Sequence, residues 1–260
     1  MYDNYESISV TIEDRIATIS FLTMALSTAS YKEIRDCLEL MSDDDNIGAI
    51  VVTGALKHFS AGGDIKSFKK RIDNKTYLPA ENIVDTTPFA ASPKYCSKPV
   101  IAMVNGVAAG AGCGFALGCD FRVMSPSSKL ICAFINMALP GDSCCAYFLE
   151  KMVGTGKATE LMMTGKPVKG EEAARLGMAI CAEDDSKLKE TTYALANKLA
   201  HGPSQAYKWQ KKLFLDVYYR ELGSNSFHEA VGMAACAKTD DFAEAVNAFI
   251  EKRNPTFTGK

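Results

Sequence analysis

Two stretches of the chain carry glycine where backbone amides could face a ligand. The first is Phe59-Ser60-Ala61-Gly62-Gly63-Asp64-Ile65 and the second is Asn105-Gly106-Val107-Ala108-Ala109-Gly110-Ala111-Gly112-Cys113-Gly114. Glycine permits backbone conformations and close approaches that side chains forbid. The second stretch runs into a helical pattern, whose first N–H groups have no partner within the helix and carry partial positive charge. Two N–H groups aimed at one point would stabilise an oxygen that gains negative charge during a reaction. The alternative is a pair of tight strand–helix connections, and the residues alone leave both readings open.

Other chemistries lack their residues. A P-loop needs glycine five residues before its Gly-Lys pair and Ser or Thr after it; around Gly154-Thr155-Gly156-Lys157 those positions hold Lys151 and Ala158. No register of the second glycine stretch gives GxGxxG, because the last position falls on Phe115 or Leu117. Gly141-Asp142-Ser143-Cys144-Cys145 ends in cysteine and is no GxSxG elbow. His58, His201 and His228 have no ligand-like spacing, and the nine cysteines contain no C-x-x-C, so no metal is expected. Cys113, Cys119 and Cys132 sit in apolar runs, where cysteine behaves as a small hydrophobe. An odd cysteine count in a long chain, with no basic-then-apolar signal at its start, leads us to expect reduced thiols and a cytoplasmic protein.

The elements that must position these loops are legible in the hydrophobic periodicity. Residues 7–12 and 16–21 alternate around Glu13-Asp14 and predict a hairpin. Ile34, Leu38 and Met41 place one apolar stripe on a helix over residues 31–41. Residues 48–54 and 98–104 are continuous apolar runs, the mark of strands buried on both faces, and residues 120–124 predict another strand. A basic helix is expected after Asp64. Strand, loop, helix and strand in this order predict βαβ units and a largely parallel sheet. Beyond about residue 185 strand signals stop. Leu188, Leu195 and Leu199 share a helical face, and a second helix is expected from Pro203 to about Leu222. A last helix carries Phe242, Ala245, Val246, Phe249 and Ile250, with Asp241 and Glu244 as its cap. The expected division is a core over residues 1–195 and a helical region over residues 196–260.

Composition fits a chain with a real core: 47% of the 260 residues are apolar and 23% charged. A net charge of −2 offers no basic field for nucleic acid. The longest apolar stretch, residues 98–124, is broken by Asn105, several glycines, Asp120 and Arg122, so no membrane span is expected.

The segments FSAGGDI, KPVIAMVNGVAAGAGCG, CDFRV, TGKATELMMTG, GEEAARLGM and DDFAEAVNAFIEKRNPTF occur in that order. Over residues 6–258 the chain thereby resembles the crotonase superfamily, the enoyl-CoA hydratase/isomerase family. The resemblance implies an α/β fold with a crotonase-like ββα spiral core and a helical C-terminal trimerisation region, in a homotrimer or a dimer of trimers. It implies an acyl-CoA thioester as substrate, with coenzyme A part of that substrate rather than a cofactor. The oxyanion hole is implied at the N–H groups of Gly63 and Ala111, the alanine replacing a family glycine. Ala25, Ala61, Asp64, Ile65, Lys66, Gly110, Gly114 and Phe134 are implied to contact substrate. Phe249 and Lys252 match terminal-helix residues that often reach a neighbour's CoA site. Lys66, Lys69, Lys70 and Arg71 would suit a phosphate-rich ligand; a solvated helix face accounts for Lys69 to Arg71 equally well.

The chain departs from the family where a hydratase carries its two glutamates, which here are Gly114 and Phe134. Neither can move a proton. Asp142 falls where 3-enoyl to 2-enoyl isomerases of the family carry a glutamate. One carboxylate suffices for that reaction, taking a proton from carbon 2 and returning it to carbon 4. Among Phe134, Leu139, Cys144 and Cys145, desolvation is expected to make Asp142 a stronger base than usual. The alternative is that Asp142 caps a helix. A second departure is that Phe21-Leu22-Thr23 runs almost directly into Met24-Ala25-Leu26, without the family's NRP-type turn at the CoA site. Three readings follow. The first is an enoyl-CoA isomerase with Asp142 as acid and base. The second is an acyl-CoA decarboxylase or atypical hydratase that relies on the oxyanion hole. The third is a non-catalytic acyl-CoA-binding scaffold. Residues 73–94 hold no readable motif and are expected to shape the acyl pocket.

Overall fold

Alternation in the first twenty residues folds into an antiparallel pair, β1 (Ile8–Glu13) and β2 (Ile16–Phe21), with Ile8 opposite Phe21 and Glu13 opposite Ile16. The turn is Asp14-Arg15, one residue later than expected, and both residues are left-handed (φ 47° and 63°). Two positive-φ residues form the turn whose twist matches that of the flanking strands. The computed structural model describes residue 2, residues 4–76 and residues 86–260. Residues 77–85, part of the stretch expected to shape the acyl pocket, lie outside the described residues.

The chain continues through β3 (Ala25–Leu26), the helix Thr28–Ser42, β4 (Ala49–Gly54), β5 (Gly62–Gly63) and the helices Ile65–Asp73 and Thr86–Tyr95. Then come β6 (Val100–Val104), β7 (Val107–Ala109), the helix Ala111–Gly118, β8 (Phe121–Met124) and β9 (Lys129–Ile131). The helix Cys145–Thr164, β10 (Val168–Lys169), the helix Gly170–Arg175 and β11 (Ile180–Cys181) complete the mixed part. Four helices follow: Leu188–Ala200, Ser204–Tyr218, Leu222–Cys236 and Asp240–Glu251.

The main sheet has the order β1-β2-β4-β6-β8-β11 and is parallel from β2 onward. A second sheet, β10-β9-β7, and the short parallel pair β3-β5 lie apart from it. Every residue of β4 is buried, as its unbroken apolar run predicts. Its side chains alternate between two cores. Ile50 and Val52 join Phe21, Phe59, Phe89 and Phe115 in the larger one, while Ala49 and Val51 meet Leu188, Ala196 and Leu199 on the other face. Residues 195 and 196, where the division is expected, lie inside the helix Leu188–Ala200, which covers the main sheet. No helix among the described residues is long and apolar enough to cross a membrane.

Sequence-based expectations for the C-terminal helices need two corrections. The helix from Pro203 stops at Tyr218, and Leu222 begins another. The last helix is capped by Thr239, whose hydroxyl accepts from Phe242 N (3.1 Å). Asp241 instead accepts from Thr258 N and Gly259 N (2.7 and 2.8 Å), and Glu244 accepts from Arg253 and Thr256 N.

A buried polar knot fixes the helix Ala111–Gly118. Arg122 on β8, only 8% exposed, donates to the carbonyls of Ala116, Leu117 and Cys119 (3.2, 3.1 and 2.8 Å) and to Met178 O (2.5 Å). It thus satisfies the last carbonyls of that helix and meets its negative end with a cation. Beside it Asp120 accepts from Val100 N (2.8 Å) and pairs with Lys211, which also donates to the carbonyls of Pro93 and Lys98. Pro93 lies within the helix Thr86–Tyr95 and removes the N–H that would reach Phe89 O. The buried Ser92 hydroxyl donates to that carbonyl instead (2.7 Å).

Lys94 completes the knot, donating to Cys119 O (3.1 Å) and standing 3.6 Å from Asp120. Burial outweighs the attraction of Asp120 and pulls the Lys94 pKa down to about 8. An unfolded lysine titrates near about 10.4. Between those values the unfolded chain binds more protons, so stability rises with pH there. Buried thiols held protonated, Cys37 and Cys119 among them, act in the opposite sense over part of this range. The Lys94 share is therefore read as a difference. By urea unfolding, the stability of the wild type relative to Lys94→Met is expected to rise from pH 8 to 10. A difference that does not change with pH contradicts it.

Candidate active site

The two glycine stretches are laced together by backbone and side-chain hydrogen bonds. Asn105 at the end of β6 donates to Gly54 O and Leu56 O (2.8 and 2.9 Å) and accepts from Gly54 N (3.0 Å). That fixes the loop leaving β4. Ser60 N donates to Val107 O (3.0 Å), and Ala109 N donates to Ser60 O (2.9 Å). Ser60 Oγ donates to Met24 O (3.1 Å) and accepts from Gly62 N (3.1 Å), which bends the first stretch back on itself.

The segments then pass at glycine. Gly62 (φ +86°) lies so close that a Cβ on it would stand 2.8 Å from Ala109 O. A Cβ on Gly110 (φ +53°) would stand 3.8 Å from Gly62 Cα. Gly63 and Ala111, the expected oxyanion donors, are the next residues on the two segments. Ala111 opens its helix, so its N–H has no acceptor within that helix, and Gly110 before it makes no side-chain cap. A Cβ on Gly112 would lie 2.5 Å from Ser60 Cβ, so this helix end seats directly on the first stretch.

Asp142 is 7% exposed and accepts from Ser143 Oγ (2.8 Å). It sits in a sharply bent turn in which Gly141, Ser143 and Cys144 all have positive φ (113°, 57° and 53°). The N-cap of the following helix is Cys144, so the reading of Asp142 as that cap is corrected; Asp142 contributes its carbonyl to Cys145 N. Ser143 packs on Gly114, where a Cβ would stand 2.5 Å from Ser143 O. Phe134 (7% exposed) bridges the remaining gap: its ring lies 3.8 Å from a Cβ built on Gly110 and 3.3 Å from one on Gly141. A buried carboxylate, an aromatic wall and the two laced segments therefore share one locality.

Two residues there were not singled out from sequence. Tyr31 stacks on Phe89 (4.5 Å between ring centres), and burial together with the nearby Asp142 charge pushes its phenol pKa above the usual range. It lies on the same helical stripe as Ile34, Leu38 and Met41, which is the signal that could have marked it. Glu229 on the helix Leu222–Cys236 accepts from Cys144 N (3.0 Å) and from Asn225 (2.9 Å), holding the bent turn from outside. The cysteines are free thiols, and Cys113, Cys119 and Cys132 pack in the larger core as their apolar runs predict; what spacing does not foresee is a convergence. Cys113, Cys132 and Cys145, for which spacing gives no ligand pattern, converge with their sulfurs within 4.8 Å of one another.

The other expected contacts divide. Ala25 pairs with Gly62 in the β3–β5 pair, and the exposed Ala61 donates to Met24 O (2.7 Å). Asp64 is the N-cap of the helix Ile65–Asp73, accepting from Lys66 N (3.0 Å), with Ile65 half-buried and Lys66 exposed. Phe68 on that helix lies 3.1 Å from a Cβ built on Gly63 and packs edge-on against Phe242 of the last helix. Phe249 (62% exposed) and Lys252 face solvent at the end of that helix. The Gly154-Thr155-Gly156-Lys157 run is part of the helix Cys145–Thr164, which kinks at Gly154 (φ 74°), so it forms no phosphate loop.

Comparison with known proteins places this geometry. The chain shares 31% identity with 1,2-epoxyphenylacetyl-CoA isomerase of Escherichia coli, over 88% of each protein. It shares 26% with trans-2-decenoyl-[acyl-carrier-protein] isomerase of Streptococcus mutans, over 99% of this chain and all of that one. With short-chain-enoyl-CoA hydratase of Clostridium acetobutylicum it shares 29%, over 88% and 87%. The structure superposes on an enoyl-CoA hydratase/isomerase from Pseudoalteromonas atlantica with a TM-score of 0.84, at 27% identity over 97% and 100% of the chains. The fold alone is shared with an enoyl-CoA hydratase from Mycobacterium avium subsp. paratuberculosis (TM-score 0.87, 23% identity, 98% and 99% covered). Residues 11–260 match the family model described as enoyl-CoA hydratase/isomerase, and this chain therefore belongs to that family, the crotonase superfamily.

Proposed function

We propose that the protein is an isomerase of enoyl thioesters, with Asp142 moving one proton between carbons 2 and 4 of the acyl chain. The N–H groups of Gly63 and Ala111 hold the thioester oxygen while it carries the dienolate charge. Asp142 as a carboxylate takes the proton from carbon 2 of a 3-enoyl thioester. Electrons shift towards the thioester oxygen, and the same carboxyl returns the proton to carbon 4 as the 2-enoyl product forms. No water is added and none is lost.

The observation that carries this reading is the contrast between Asp142 and the two positions a hydratase would use. Asp142 is buried in a turn pressed against the oxyanion helix, whereas Gly114 has no room for a side chain and Phe134 offers only a ring. A buried carboxylate next to apolar groups suits a base that must protonate and deprotonate carbon. The Streptococcus mutans relative, named as an isomerase of an enoyl thioester, supports the reading along the full length of the chain. The substrate enters as an acyl-CoA, with Lys66 and its basic neighbours on the outer end and Phe134 and Tyr31 near the acyl end. The assembly is a homotrimer or a dimer of trimers, in which the exposed apolar row Trp209, Leu213 and Val217 on the helix Ser204–Tyr218 meets a neighbouring chain.

Conversion of a 3-enoyl-CoA to its 2-enoyl isomer is expected to fall by about 10²–10⁴-fold in Asp142→Asn, with acyl-CoA binding retained. Undiminished turnover removes Asp142 from the mechanism, and turnover confined to carboxylated acyl-CoAs replaces the reading with decarboxylation. Gly114→Glu, which restores a glutamate at a hydratase position, is expected to yield no hydration of 2-enoyl-CoA and to lower stability by about 1–3 kcal/mol through the clash with Ser143. Gain of hydration contradicts that. Light scattering is expected to give the mass of three or six chains, and a stable monomer overturns the assembly.

A further inference from the structure

Three thiols that the proposed reaction does not use meet beside it. Cys113, Cys132 and Cys145 are 0%, 4% and 0% exposed, and Cys132 Sγ lies 3.6 Å from Cys145 Sγ. All three sulfurs lie within 4.8 Å of one another. They arrive on separate pieces of chain. Cys113 is in the first turn of the helix Ala111–Gly118, Cys132 follows β9, and Cys145 opens the helix Cys145–Thr164. Two helices of eight and twenty residues thus begin at the cluster.

Ligand type and number narrow what such a group would hold. Thiolates are soft ligands that select Cu(I), zinc or iron–sulfur clusters. Structural zinc takes four ligands and cubane or rhombic clusters take four cysteines. Among the described residues the group contains three sulfurs and no further His, Cys, Asp or Glu. Monovalent copper is satisfied by two or three thiolates and needs no water, which suits a closed site. A metal about 2.3 Å from each of three coplanar sulfurs sets them about 4.0 Å apart. The 3.6 Å between Cys132 and Cys145 lies close to that value, and the 4.8 Å limit on the other pairs admits it.

We propose that Cys113, Cys132 and Cys145 form a three-sulfur site for Cu(I). On binding, thiol protons leave for solvent, S–Cu bonds replace S–H bonds, and no electron is transferred. The ion links three pieces of chain that the reaction depends on: the helix that presents Ala111, the segment that places Phe134 and the helix that follows Asp142. The site stands independently of the isomerase reading, since its test reads metal rather than turnover.

The full-length reduced protein is titrated without oxygen with Cu(I) alone. Bound copper per chain after desalting and the near-ultraviolet copper–thiolate absorption are the readouts. One equivalent is expected, with three sulfur neighbours by X-ray absorption. Cys132→Ser is expected to weaken retention by at least about 100-fold, while Cys37→Ser, a buried thiol elsewhere, leaves it unchanged. Circular dichroism verifies folding, and Cys145→Ala serves as the second variant should Cys132→Ser not fold. Absence of retained copper, equal retention in the cluster variants, or zinc held as tightly as copper overturns the assignment.

Discussion

At Gly62 and Gly110 two backbone segments run so close together that no side chain fits at the first of them, and every part of the site inherits its position from that contact. The approach must be maintained against the tendency of loops to drift apart. Ser60 does this from one side, through its backbone to Val107 and Ala109 and through its hydroxyl to Met24 and Gly62. Arg122 does it from the far end, where it binds the closing carbonyls of the helix that Gly110 introduces. One end of that helix is therefore set by shape and the other by charge. The local rule that a helix should not carry glycine at three of eight positions is broken here, and it is broken where backbone has to meet backbone.

The surroundings of Asp142 show how a fold can bury one carboxylate in a bent turn. The turn carrying it is strained at Ser143 and Cys144, non-glycine residues in left-handed conformations. Such strain persists when neighbours over-determine the backbone. Glu229 does so through Cys144 N, and Gly114 does so by having no side chain to push Ser143 away. The missing side chain at Gly114 thus makes room for the turn that brings Asp142 in. The Phe134 ring then walls the turn, 3.3 Å from a Cβ built on Gly141.

Much of this fold is legible in the residues because it rests on local periodicity. The hairpin, the two buried strands and the first half of the last helix's apolar stripe, Phe242, Ala245 and Val246, stand where alternation or helical spacing puts them, while Phe249 and Ile250 at its end stay exposed. The misses come from distant partners. The helix from Pro203 ends at Tyr218 without a glycine or proline to stop it, and the next residue, Tyr219, packs beside Phe148 and under Lys94, far away in sequence. Asp241 is a good cap by type, yet the tail at Thr258 and Gly259 claims its carboxylate and Thr239 caps the helix. The glycine segments of the site announce themselves, since few other structures need such a density of glycine after a buried strand. Glu229 is out of reach of such reasoning, because it meets the turn it supports only through the tertiary fold. The sulfurs of Cys113, Cys132 and Cys145 converge for the same reason.

Ser92 and Pro93 form a couple whose members cannot change freely in either order. The hydroxyl at 92 serves the carbonyl of Phe89 because the imino acid at 93 has no hydrogen to give it. Losing the serine first strands a buried acceptor under the ring that stacks on Tyr31. Losing the proline first restores an ordinary helical donor and leaves the serine redundant. Evolutionary drift through this pair is therefore directional, with position 93 acting as the gate that decides when position 92 becomes neutral.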